Sequence, residues 1–254
     1  MPNLALAVSH HELVRNPIPG NFSTFLVDRD VFDDKTFVVP GVKQFLPYIT
    51  FYSKSRQEVL TYARGKAGTE VRLRGRSVGF GGHVDTKPEL PTNTPDGYRF
   101  LGSHLAMEAM REIEEELPGF AADARDDLHA YLQSCLTEPG GVMHRAIDIR
   151  YAPVDCVHLG ISLIVNIDQF PGMAPEMLQG EDNQVIDLKW VSLAELAPPK
   201  QDSEDLPEES RLYEGWSQFV LMLLTEDSRF GDHLYRQENL VSLVTPPLEN
   251  QRYL

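Results

Sequence analysis

Apolar positions change their period along the chain, and the changes mark out its elements. Residues 22–39, FSTFLVDRDVFDDKTFVV, place β-branched and aromatic residues on either side of an Asp-rich turn and read as two strands or a hairpin. LPYITFYSK (46–54) and EVLTYAR (58–64) are strand-like runs separated by SRQ, a second hairpin. SVGFGGHV (77–84) is a short strand that ends in a glycine pair, and DTKPELPTNTPDG (85–97) is a Pro-, Thr- and Asp-rich loop. The period then lengthens. HLAMEAMREIEEELPGF (104–120) and AADARDDLHAYLQSCL (121–136) carry apolar residues at helical spacing, the second through Leu128, Tyr131, Leu132 and Cys135.

Strands return with RAIDIRYA (145–152) and CVHLGISLIVNI (156–167), the latter apolar enough to lie centrally in a sheet, and with VIDLKWVS (185–192). LAELAP is a short helical turn, and 197–210 is acidic, Pro-containing and expected to be an exposed loop. It leads to RLYEGWSQFVLMLLTED (211–227), a helix whose apolar face includes Leu212, Trp216, Phe219 and Leu223. The last 25 or so residues show no periodic signal and are expected to form a tail on the surface. There is no internal repeat. Strands before and after the helical stretch predict an α/β layer structure.

The helix at 104–120 is the unusual one, because five glutamates fall within residues 108–116 with a single arginine, Arg111. At roughly 100° per residue, Glu108, Glu112, Glu115 and Glu116 share one face. Ala106, Met107, Met110, Ile113 and Leu117 are expected on the opposite face, against the sheet, and Glu114 lies near the apolar edge, apart from the acidic group. A solvated face is the plainer explanation of a charge run. Such faces usually mix signs at i, i+4 spacing, however, and this one barely does. Carboxylates at i, i+3 and i+4 can instead converge on a hard divalent cation, which takes oxygen ligands.

Composition narrows the classes. In 254 residues, 42% are apolar, enough for a real core in one elaborated domain or two small ones. Against 23 basic side chains stand 38 acidic ones, a formal charge of −15 that opposes any broad grip on nucleic acid or anionic lipid. Cys135 and Cys156 are too few for a disulfide framework, and no zinc-type spacing occurs. No signal-peptide pattern or membrane-length apolar run is present, so a soluble, cytoplasmic protein is expected.

REIEEELPG (111–119) resembles the core of the Nudix box. Arg111, Glu112, Ile113, Glu115 and Glu116 are in register, while Pro118 occupies the glycine position and Gly119-Phe120 arrive one residue late. VGFGGHVD (78–85) resembles the glycine-ended strand that precedes the box, and the blocks around YARGKAGTEVRLRGRSVGFGGHVD, VHLGISLIV, KWVSLAEL and LYEGWSQFVL follow in the order of a bacterial and phage subgroup. The resemblance covers roughly residues 46–225. It divides the chain into an N-terminal β-rich segment packed on the core (1–45), a Nudix domain (46–225) and a C-terminal tail (226–254). Two departures stand out. Gly97 is in register for the first glycine of the box, but Ser103 replaces the glutamate six residues after it. The pair Gly81-Gly82 also lies far from the helix, with an inserted loop between; that loop is open to reading as a lid, a specificity element or a homodimer contact. Glu108, one turn before Glu112, is placed to substitute for the missing glutamate.

The resemblance implies a Nudix-like α/β/α sandwich with a mixed sheet, and Mg²⁺- or Mn²⁺-dependent hydrolysis of the diphosphate linkage in a small nucleoside diphosphate derivative. Glu112, Glu115 and Glu116 would hold the metal with the Gly82 carbonyl, and Arg111 would orient a box carboxylate; simple i+4 pairing of Arg111 with Glu115 is compatible with that. The general base is open between a box glutamate and a later loop carboxylate, with Glu181 chosen from Glu176, Glu181 and Asp182 in PEMLQGEDNQ. Arg64, Lys66, Arg72, Arg74 and Arg76 form a basic island that either grips phosphates or guards a strand edge. Arg64, Lys66, Arg72 and His83 are the substrate-binding candidates. His83 and His158 either line the pocket or are hydrogen-bonded structural residues, Trp190 and Trp216 read as core, and Tyr62 is undecided. The competing function is a degenerate module of the same family that binds a nucleotide without hydrolysing it, as a regulator or sensor.

Overall fold

A computed structural model describes residues 4–9, 24–28, 42–64, 75–85, 97–117, 122–138, 141–147, 158–173, 185–199 and 205–231. Its backbone is an eight-stranded sheet built around one long strand, β3 (Val42–Ser53). One edge of β3 is covered by β7 (His158–Asn166), parallel and in register from Gln44↔His158 to Tyr52↔Asn166. The other edge is shared. It pairs with β1 (Leu4–Ser9) at its start and with β4 (Glu58–Arg64) at its end, both antiparallel. Between them, Ile49 and Phe80 exchange two backbone hydrogen bonds of 2.8 Å. The sheet extends through β2 (Thr24–Asp28) beside β1, β5 (Arg76–Ser77) and β8 (Val185–Ser192) beside β4, and β6 (Ala146–Ile147) beside β7. The parallel β3/β7 pair makes the sheet mixed, as expected.

Alternation along β3 gives the sheet two buried faces. Phe45, Ile49 and Phe51 point into one core, which is covered by α1 (Gly97–Glu116) and α2 (Ala122–Thr137) through Leu101, Leu105, Ile113, Leu128, Leu132 and Leu136. Tyr48 belongs to the other core, which is covered by α6 (Gly215–Thr225) through Trp216, Val220 and Leu221. Helices therefore lie on both faces, an α/β/α layering. Three one-turn α-helices, α3 (Gly141–His144), α4 (Leu193–Leu196) and α5 (Glu208–Arg211), and a 3-10 turn at Ile167–Gln169 complete the described elements. Among the described residues no helix is long and apolar enough to cross a membrane.

Several sequence expectations shift. The acidic helix begins at Gly97, about two turns before residue 104, because Leu101 and Leu105 continue its buried stripe. Met107, expected on the apolar face, is 51% exposed: the buried stripe runs through Ala106, Ala109, Met110 and Ile113 and leaves it outside. The helix expected over 211–227 is two elements. Its chain is interrupted where Tyr213 bridges Arg76 and the Glu214 N–H donates to the Arg76 carbonyl at 3.0 Å, so Leu212 is turned out to solvent. Leu223, at the far end of the expected apolar face, is also half exposed. Leu206 and Ser210, in the expected exposed loop, are buried. Trp216 is buried in the second core, and Trp190 packs partly buried on the first.

Candidate active site

The glycine pair and the acidic helix meet. Gly81 has φ +154, a backbone conformation that side chains rarely adopt, and a Cβ there would overlap the Pro47 carbonyl. Its N–H donates to Glu116 Oε2 at 3.0 Å. At Gly82 an added Cβ would stand 2.6 Å from the Glu112 carboxylate carbon. The turn thus lets backbone approach two carboxylates one helical turn apart, Glu112 and Glu116. Both lie on the face of α1 that the first core does not occupy.

Arg111 organises this face. Its Nε donates to Glu108 at 2.9 Å, one terminal nitrogen reaches both Glu115 oxygens at 2.9 and 3.0 Å, and the other donates to Glu112 and, at 3.0 Å, to the His83 carbonyl. The planar fork thereby ties three carboxylates of the helix to the chain that follows Gly82. Glu115 is the exposed member of the set, at 59%, whereas Glu108 and Glu112 are buried. Glu114 is drawn away to Arg125 at the start of α2. Burial pushes the Glu112 carboxyl up to about 7; Arg111 opposes the rise, and Glu115 and Asp85 add to it.

These donors suit a hard cation in part. Glu112 and Glu116 bring two carboxylates to the glycine turn, and Mg²⁺ needs only one or two protein carboxylates beside water and substrate oxygens. A buried carboxyl held partly protonated is one whose anionic form a cation would favour. Among the described residues no group of three or more acidic, histidine or cysteine side chains forms a ready-made metal cluster, which agrees with Glu115 being turned to Arg111.

The remaining predicted residues are dispersed. Arg64, at the end of β4, stands over the Tyr62 ring at 5.8 Å and reaches Glu214 at 3.6 Å; its Nε is buried with no hydrogen-bond acceptor among the described residues. Tyr62 is buried, and its hydroxyl donates to the Gly79 carbonyl at 2.9 Å. His83 meets His158 with the two Nε2 atoms 3.0 Å apart, one imidazole donating to the other. Ser103, in place of the box glutamate, accepts from Gln133 of α2 at 3.2 Å. Arg76 is engaged by Asp187 and Thr61 across the sheet. Lys66, Arg72, Arg74, Glu176, Glu181 and Asp182 lie outside the described residues. Sequence reasoning missed two features: the His83–His158 contact, and a buried network around Glu214 whose members are far apart in the chain.

Comparison with known proteins adds little. No family model matches the sequence, and no curated protein matches it. The chain is similar in structure to Tm1382, itself named only as a candidate Nudix hydrolase, with 17% identity and a TM-score of 0.47 over 88% of this chain and 98% of that one.

Proposed function

We propose that the protein is a divalent-cation-dependent pyrophosphohydrolase of the Nudix type, cleaving the diphosphate linkage of a nucleoside diphosphate derivative. The observation that carries this reading is the meeting of Glu112 and Glu116 with the Gly81-Gly82 turn, in a helix whose arginine and glutamates also match the family's box. Glu112 and Glu116, with the Gly82 carbonyl, would hold Mg²⁺ or Mn²⁺, and Glu115 would complete the set on leaving Arg111. When bound, the cation offsets charge on the diphosphate oxygens and makes a water more acidic. Arg111 holds Glu108, Glu112 and Glu115 in orientation in the metal-free protein. A carboxylate outside the metal set takes the proton from water, and Glu181 of the later loop is the candidate. Arg64 is a candidate for a substrate phosphate, since its buried Nε–H has no acceptor among the described residues, although a terminal nitrogen faces Glu214; Lys66 and Arg72 are further candidates in the same block, and His83 is a candidate at the turn.

The test is incubation with ADP-ribose, NADH, dinucleoside polyphosphates, nucleotide sugars, nucleoside triphosphates and capped RNA in Mg²⁺ or Mn²⁺. Turnover of one class that is lost in Glu115→Gln or Glu116→Gln supports the proposal. Turnover of none, or turnover that survives both substitutions, defeats it. One observation favours the non-hydrolysing alternative: Ser103 is spent on Gln133 and supplies no carboxylate to the site. Nucleotide binding by calorimetry that EDTA leaves unchanged, with no product formed, would establish that reading.

A further inference from the structure

Behind the glycine turn, on the opposite face of the sheet from α1, lies a buried carboxylate that the proposed chemistry does not use. Glu214 immediately precedes α6, is 7% exposed, and makes no capping hydrogen bond with its side chain. Its Oε1 instead accepts from the Tyr48 hydroxyl at 2.8 Å and the Ser77 hydroxyl at 2.6 Å, with Ser217 Oγ 3.3 Å away; its Oε2 faces Arg64. Each hydroxyl has one proton, and the distances select an assignment. Tyr48 and Ser77 donate to the carboxylate, and Ser217 donates to the Tyr48 oxygen at 2.7 Å. Burial, reinforced by Glu214, pushes the Tyr48 hydroxyl well above the usual tyrosine range, which keeps that proton in place.

The same hydroxyls hold the chain that leads to the site. Ser217 Oγ accepts the Val78 N–H at 3.0 Å, and Ser77 Oγ accepts the Gly79 N–H at 3.2 Å. Gly79 has no room for a side chain because a Cβ would overlap the Tyr48 ring, and its carbonyl is taken by Tyr62. Phe80 follows with its two bonds to Ile49, and then Gly81 donates to Glu116. Every residue from 77 to 81 is therefore fixed by a partner outside the segment, and two of those attachments, at Ser77 and Val78, pass through groups that converge on Glu214.

We infer that Glu214 is a positioning residue for Glu116: through Tyr48, Ser77 and Ser217 it fixes the 77–81 segment, and so the Gly81 N–H that orients the Glu116 carboxylate. This rests on the metal-site reading of Glu116, and the test separates the two. In the full-length chain, Mn²⁺ affinity is measured by electron paramagnetic resonance and Gly81 amide exchange by NMR, for wild type, Glu214→Gln, Tyr48→Phe and Val220→Ala. The last removes buried volume from α6 in the same core without touching the network. Glu214→Gln keeps an acceptor for the hydroxyls but loses the charge. It is expected to weaken Mn²⁺ binding about tenfold, the low end for groups that orient metal ligands, and to speed Gly81 exchange about tenfold. Tyr48→Phe should give smaller changes of the same sign, and Val220→Ala should lower the melting temperature while leaving both readouts near wild type. The inference is overturned if Glu214→Gln leaves Gly81 exchange unchanged, or if Val220→Ala reproduces its losses at equal melting temperature. If the wild-type protein binds no Mn²⁺, the metal-site reading fails, and Gly81 exchange alone decides the positioning role.

Discussion

Cation binding should expel a proton from Glu112, and the amount can be worked out. The ordinary glutamate value is 4.5, and burial holds the folded value near 7 against the pull of Arg111. A raised carboxyl pKa means that the folded chain binds the proton more tightly than the unfolded chain does. In the metal-free protein the stability contribution is therefore present in full below pH 4.5 and lost as pH rises through 7, a difference of about 3 kcal/mol. At pH 7 about half of the molecules carry the proton. A dication on Glu112 would displace it, releasing about half a proton at pH 7, about nine-tenths at pH 6 and about one-tenth at pH 8. Titration calorimetry with Mn²⁺ in buffers of different ionisation enthalpy reads this number directly. Glu112→Gln should abolish both the release and the decline of metal-free stability across that range. Mn²⁺ binding to the wild type at pH 6 without proton release would refute the placement of the cation on Glu112.

Three other outcomes follow from the same geometry. Gly82→Ala puts a methyl 2.6 Å from the Glu112 carboxylate carbon, the far end of a flexible side chain; the carboxylate should give way at little cost in urea denaturation but with weaker Mn²⁺ binding, whereas unchanged affinity would remove the turn from the site. Arg111→Lys replaces a fork serving Glu108, Glu112, Glu115 and the His83 carbonyl with a single ammonium; steady-state kinetics should show a loss of at least about tenfold in turnover, because the arrangement needs planar, divergent donors. Ile113→Ala, in the buried stripe of α1, should cost about 2–5 kcal/mol by chemical denaturation while preserving the Mn²⁺ stoichiometry of the folded fraction.

What the sequence disclosed was what its local periodicity controls. The buried stripe of α1 and the central strand β7 were legible because burial imposes a repeat on neighbouring residues. The exclusion of Glu114 was legible because helix geometry alone fixes its angle. The misplaced features depend on contacts distant in the chain. Leu212 is expelled from the apolar face because Tyr213 is recruited to Arg76, more than a hundred residues earlier. Glu214 looks like an ordinary polar residue beside a helix start until Tyr48 and Ser77 are brought to it by two different strands. Nor could the sequence say which glutamates of the acidic face would be buried, since it does not reveal that the glycine turn lies over them.

That turn changes what the acidic face means. Setting aside Glu114, which has Arg125, the face carries Glu108, Glu112, Glu115 and Glu116, and three of them share the guanidinium of Arg111. Exposed carboxylates would be screened at little cost, but Glu112 is buried, and burial makes a charge whose partner is shared expensive. Two responses reduce that cost: protonation of the carboxyl, or a dication. The rise at Glu112 is the first response, at the carboxylate that lies against the glycine backbone. A cation held by Glu112 and Glu116 is the second. Because both act on the same oxygen atoms, they compete, and lowering the pH should weaken cation binding by close to tenfold per pH unit below about 7.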